Sequence, residues 1–121
     1  GQIRNSAGNL CLHITGNLQH YIGAILGQTG YRRNRPGEFS RTNVPVKELL
    51  REIEATREVV EQVLPRLTEQ ELQSDFPEDF LGQPHSTEFI LIHLLGHLHY
   101  HLGQINYHRR LLATGGTGGG R

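Results

Sequence analysis

The sequence predicts an all-α protein, and three observations carry that prediction. Long segments repeat their apolar residues at helical spacing. No segment alternates apolar and polar residues convincingly enough to read as a strand. Stretches rich in glycine and proline, the residues that interrupt helices, separate the periodic segments. With 121 residues, the chain suits one domain with a modest core.

The first helix is expected from a Ser6 cap to about Gly27, with Leu10, Ile14, Leu18, Tyr21 and Ile25 as its apolar stripe. Residues 27–45, rich in Gly, Arg, Asn and Pro, read as a linker. A second helix should start near Pro45, since proline is tolerated in a first turn, and stop at Leu64 before Pro65. Its apolar positions are Val46, Leu49, Leu50, Ile53, Val60 and Leu64. Thr68 and Glu71 have the spacing of a capping box and open a single short turn. Residues 77–84 are loop. Ser86 or Thr87 caps the last helix, expected to reach about Ala113. We therefore draw a helical bundle domain at residues 1–114 and a flexible Gly-rich tail at 115–121.

Composition removes several function classes. Lys and Arg together number 12, as do Asp and Glu, so the net charge is zero and the basic face that displaces counterions from nucleic acid is missing. No apolar run approaches the ~20 residues of a membrane span, and no signal-peptide pattern opens the chain. The single cysteine, Cys11, has no partner for an internal disulfide, which points to a reducing, cytoplasmic location. The chain opens without Met, and its N-terminus reads as incomplete.

The histidines carry the chemistry. Four of the eight, His93, His97, His99 and His101, fall within nine positions of the last helix. Residues four apart share a helix face, so His97 and His101 present two imidazoles side by side. On a wheel of about 100° per residue, His93, Gln104 and His108 lie within roughly 40° of His97. Leu91, Leu94, Leu98, Leu102 and Ile105 occupy the neighbouring arc, so the histidine ridge borders the core and is placed to line a pocket. His99 points away from both arcs and reads as solvated. Gly96 and Gly103, seven apart, would permit close approach of another helix.

A catalytic metal site usually takes three protein ligands and keeps one position open. The first helix offers the third in His13, with His20 in reserve on the same face and Asn17 between them. A lone histidine on a helix is most often a core or surface residue. The paired spacing with a match on a second helix tips the reading towards metal. Cys11 faces away from His13 and reads as a small core residue. Arg32, Arg33 and Arg35 read as a solvated loop, with an anion site as the alternative if that loop folds over the pocket. His85 reads as surface.

Segment 9–20 (Asn-Leu-Cys-Leu-His-Ile-Thr-Gly-Asn-Leu-Gln-His), followed by segment 97–105 (His-Leu-His-Tyr-His-Leu-Gly-Gln-Ile), resembles the DinB/YfiT-like superfamily. The likeness runs from about Ser6 to Leu112. It implies an up-down-up-down four-helix bundle holding a divalent metal on three histidines, one from the second helix and an HxxxH pair from the last. Carried onto this chain, the implied triad is His13, His97 and His101. Gln104 matches the family pattern three residues after the last ligand, and segment 35–39 (Arg-Pro-Gly-Glu-Phe) resembles the stretch after the second helix in some members. Members carry a long helix before the one that holds His13, and this sequence has no room for it. The bundle is thus expected here without the family's first helix, cut away or replaced by another chain, and a homodimer would cover the bare side.

The resemblance implies a metal-dependent enzyme of thiol-S-transferase or hydrolase type acting on a small molecule, such as a low-molecular-weight thiol. Zn²⁺ is the favoured ion, with Ni²⁺ or Mn²⁺ as alternatives, because imidazole ligation discriminates weakly among them. An open coordination position would activate a bound water or thiol. No Asp or Glu lies on the ridge as a general base, and Tyr21 and Tyr100 are the candidate proton donors. Catalytic residues stay unassigned. The alternative is a non-catalytic metal-binding or stress-response module, possible as a dimeric interaction domain. A third reading is a structural helical domain whose histidines pack without metal.

Overall fold

The computed structural model describes residues 7–116 and is helical, without a named strand among them. α1 spans Ala7–Leu18 and runs on as a π-helical segment, Gln19–Leu26. α2 is Arg35–Ser40, α3 is Val46–Val63, α4 is Glu69–Gln73 and α5 is Thr87–Gly116. The proposed Ser6 cap and residues 117–121 of the expected tail lie outside the described residues. The helix itself continues through Gly116, past the expected end at Ala113.

α1 is the central element and touches α2, α3 and α5. Almost every residue from Asn9 to Asn17 is buried, polar side chains included. In the π segment, wider turns with i→i+5 bonds replace the α pattern, as in the 2.9 Å bond from Gly27 N–H to the Ile22 carbonyl. This shifts the phase of the stripe. Ile22 becomes the buried residue, while Tyr21 and Ile25, predicted from a 3.6-residue period, are only half-buried. The segment ends at Gly27, where a Cβ would come within 2.6 Å of Val63 Cγ2.

The expected linker at 27–45 contains α2. Asn34 caps it, its side-chain oxygen accepting from Gly37 N–H at 3.2 Å, and Pro36 sits in its first turn. Asn9 then ties the far end to α1, donating to the carbonyls of Glu38 (3.0 Å) and Arg41 (2.9 Å). Six residues make no helix alone. Docking on α1 makes this one.

α3 begins after Pro45 as expected, and a 3₁₀ turn, Leu64–Arg66, carries it past the predicted end. Its stripe is corrected in its first half. Val46 is 69% exposed and Leu50 59%, whereas Val63 joins the core. The capping box forms, with Glu71 N–H donating to Thr68 Oγ1 (3.1 Å) and Thr68 N–H to Glu71 Oε1 (2.8 Å). The loop after α4 is pinned by Phe76 N–H to the His85 carbonyl (2.8 Å) and Thr87 N–H to the Ser74 carbonyl (2.9 Å). Ser86 caps α5, accepting from Phe89 N–H at 3.0 Å.

The core cluster is Ile22, Val63, Phe76, Ile90 and Leu94. It lies at the N-terminal end of α5. Further along, Leu98 and Ile105 face Cys11, Ile14 and Ile53 across an apolar groove of about 440 Å³. No described residue comes near Gly96 or Gly103, so no helix of this chain uses the approach that their spacing suggested.

Candidate metal centre

The helical spacings deliver their histidines to one point. α1 buries His13, and α5 presents His97 and His101 one turn apart, both half-buried. Ring centroids lie 5.1 Å apart for His13 and His97, 4.8 Å for His13 and His101, and 4.3 Å for His97 and His101. One ligand-capable atom from each lies within 4.8 Å of those of the other two.

Hydrogen bonds on the outer side fix which nitrogens turn inward. His13 Nδ1 is 3.0 Å from Glu38 Oε1, and we assign it as the donor. Arg33 Nη2 also sits 3.3 Å from that nitrogen, but a nitrogen that donates to the carboxylate cannot accept from the guanidinium. His101 Nδ1 donates to Gln104 Oε1 at 2.6 Å. Both rings therefore carry their lone pair on Nε2. His101 Nε2 and His97 Nε2 meet at 3.0 Å, a contact that requires His97 to supply the proton.

The site disfavours extra protons. Burial pushes the His97 imidazole down to about 4, reinforced by the neighbouring His101 and His13. Burial also lowers His13, against the opposing pull of Glu38. Both rings are thus neutral near pH 7, the form in which imidazole ligates metals.

Glu38 is the residue that the sequence reading missed. It is buried at 6% exposure, and Arg33 grips it bidentately, Nε to Oε2 at 2.7 Å and Nη2 to Oε1 at 3.0 Å. The arrangement depends on Gly16, where a Cβ would stand 2.0 Å from Glu38 Oε2. Arg33 itself is no solvated loop residue, because the loop folds over the site. The available signals were the Asn34–Pro36 helix start and the quoted segment 35–39, whose Glu38 had been given no role.

His13 and His97 open onto a cavity of about 280 Å³ that Tyr21, Arg35 and Phe80 help to line. Of the two candidate proton donors, only Tyr21 lines it. Tyr100 is exposed, with its ring 5.3 Å from that of His101. His93 borders the cavity and packs on Phe80, centroids 4.6 Å apart. The reserve ligand His20 lies apart, paired with Glu78 at 3.3 Å. His99 is exposed as expected, and the side chain of His108 lies outside the described residues. His85 is half-buried rather than surface, stacked on Phe89 at 4.2 Å. Cys11 belongs to the apolar groove, where burial raises its thiol pKa.

Comparison with curated proteins gave no match, and comparison with solved structures gave none. A sequence model described as the DinB superfamily matches residues 2–105, most of the chain including all three clustered histidines. The chain belongs to the DinB superfamily.

Proposed function

We propose that His13, His97 and His101 bind a divalent metal ion and that the protein is a metal-dependent enzyme of thiol-S-transferase or hydrolase type. The convergence of the three imidazoles, with Nδ1 of His13 and His101 held by Glu38 and Gln104, carries this reading. Two nitrogens each ~2.0–2.1 Å from a tetrahedral ion stand about 3.3 Å apart, close to the 3.0 Å between His97 and His101 Nε2. An all-imidazole set suits Zn²⁺ best, with Ni²⁺ or Mn²⁺ as alternatives.

Such an ion supplies Lewis acidity, lowering the pKa of a coordinated water or thiol towards neutrality. The residues of the chain do the rest. Glu38 and Gln104 orient two imidazoles and keep their protons away from the inner face. The cavity beside His13 and His97 gives a substrate access, which a closed structural site would not. Tyr21 is placed on that cavity to exchange a proton with a bound substrate.

Metal analysis of protein purified without a His-tag should find about one ion per chain, and His97→Ala with His101→Ala should abolish it. Unchanged metal content in the double variant would remove the triad assignment. The enzyme reading requires turnover of a low-molecular-weight thiol with an electrophilic acceptor, lost in the same variant.

A further inference from the structure

The cavity beside the histidines holds three polar side chains that the metal reading leaves unused: Asn17, Arg35 and Asp79. Asn17 sits on α1 one turn beyond His13 and is only 9% exposed. A buried amide is normally hydrogen-bonded, yet the Asn17 side chain has no partner among the described residues. Its carboxamide opens onto the cavity instead. Arg35, at the start of α2, forms no ion pair among the described residues. It differs there from Arg33, which Glu38 holds on both sides. Asp79, in the loop before α5, is unpaired as well.

We propose that Asn17, Arg35 and Asp79 form a subsite for a small zwitterion of the amino-acid type, its carboxylate on Arg35 and its ammonium on Asp79. A simple carboxylate would satisfy Arg35 but face Asp79 as a like charge, and a simple amine would meet the converse. Only a ligand with both charges answers both walls without leaving a net charge in the cavity. Asn17 both donates and accepts, so its amide serves either end. Phe80 and Leu81 supply an apolar wall for the intervening carbons. At about 280 Å³ the space falls below the usual range of drug-sized pockets and suits a molecule of amino-acid size. Its proximity to His13 and His97 rests on the proposed metal site, and would turn the ligand's third functional group, such as a thiol, towards the three imidazoles.

The test titrates the full chain, metal-free and zinc-loaded, anaerobically with L-cysteine, cysteamine and 3-mercaptopropionate, following amide resonances by NMR. L-Cysteine should bind about three- to fivefold tighter than either analogue, the size expected of partly exposed charge pairs. Its titration should shift the side-chain amide of Asn17. Arg35→Gln should remove the advantage over cysteamine, and Asp79→Asn the advantage over 3-mercaptopropionate. The order should persist without metal, at weaker overall affinity. Equal binding of all three, no binding in either form, or variants that weaken all three alike would overturn the subsite. Zinc binding without the order overturns the subsite alone. The order without zinc binding supports the subsite and removes the metal site.

Discussion

A carboxylate that accepts from the outer nitrogen of a ligand histidine fixes its tautomer and raises its basicity, and losing such a partner typically costs about 10–100-fold in metal affinity. Glu38 stands in that relation to His13. Glu38→Gln keeps the size of the side chain and an oxygen acceptor but removes the charge. It should weaken zinc binding by about 10-fold or more in a chelator competition, with the helical circular dichroism unchanged. An unaltered affinity would show that Glu38 serves only the fold. His97 permits a second prediction, on the metal-free chain. It is held at about 4 against an ordinary value of 6.5, so between these limits the unfolded chain binds a proton that the folded one refuses. Its contribution to stability is complete above about pH 6.5 and is lost as pH falls towards 4. The melting temperature should therefore drop across that window, and drop less in His97→Gln. Equal drops would place the effect elsewhere. The triad was legible because two ligands ride on the helical period and the third lies in another amphipathic segment. Glu38 was not, because it meets His13 across 25 positions through a turn with no period to read.

Among the elements, α2 and the π segment depart most from the helical pattern. α2 arises from a stretch whose composition reads as linker, because Asn9 and the Glu38–Arg33 pair supply from outside what six residues cannot supply themselves. The close approach of α1 to α2 at Gly16 gives a sharp test. Gly16→Ala places a methyl where Glu38 Oε2 now lies, and should destabilise the protein by about 1–3 kcal/mol in urea unfolding. Zinc affinity should fall with it. In a Glu38→Ala background the added destabilisation should shrink, because the clashing atom is gone. Full additivity would mean that the methyl harms the helix itself. By contrast, the starts of α3, α4 and α5 were all legible, because Pro45, the Thr68 box and Ser86 act within one turn of chain.

In the whole molecule, the apolar stripes exceed what the chain itself covers. Ile53 and Leu102 on the 440 Å³ groove stay substantially exposed, as does Leu50 further along α3. This accounts for the half of the α3 stripe that was legible as apolar yet is not core. Exposed apolar patches of this kind promote association. Sedimentation should show a dimer at concentrations of tens of micromolar or above, and Ile53→Glu should shift it to monomer. A monomer at every concentration would remove the expected homodimer. No helix of the described residues is long and apolar enough to cross a membrane, so none of this surface is a transmembrane span.

The π segment in the second half of the central helix has a consequence for how this chain can vary. It works as a phase adjuster between two tasks carried on one continuous rod: aiming His13 and Asn17 at the cavity, and aiming Ile22 at the core. A single residue lost from Gln19–Leu26, with relaxation to ordinary α-helix, would turn one task relative to the other by about 100°. Substitutions there can be absorbed one side chain at a time. A change in residue count cannot, and the alignment of the histidine site with the core is therefore encoded in chain length as much as in residue identity.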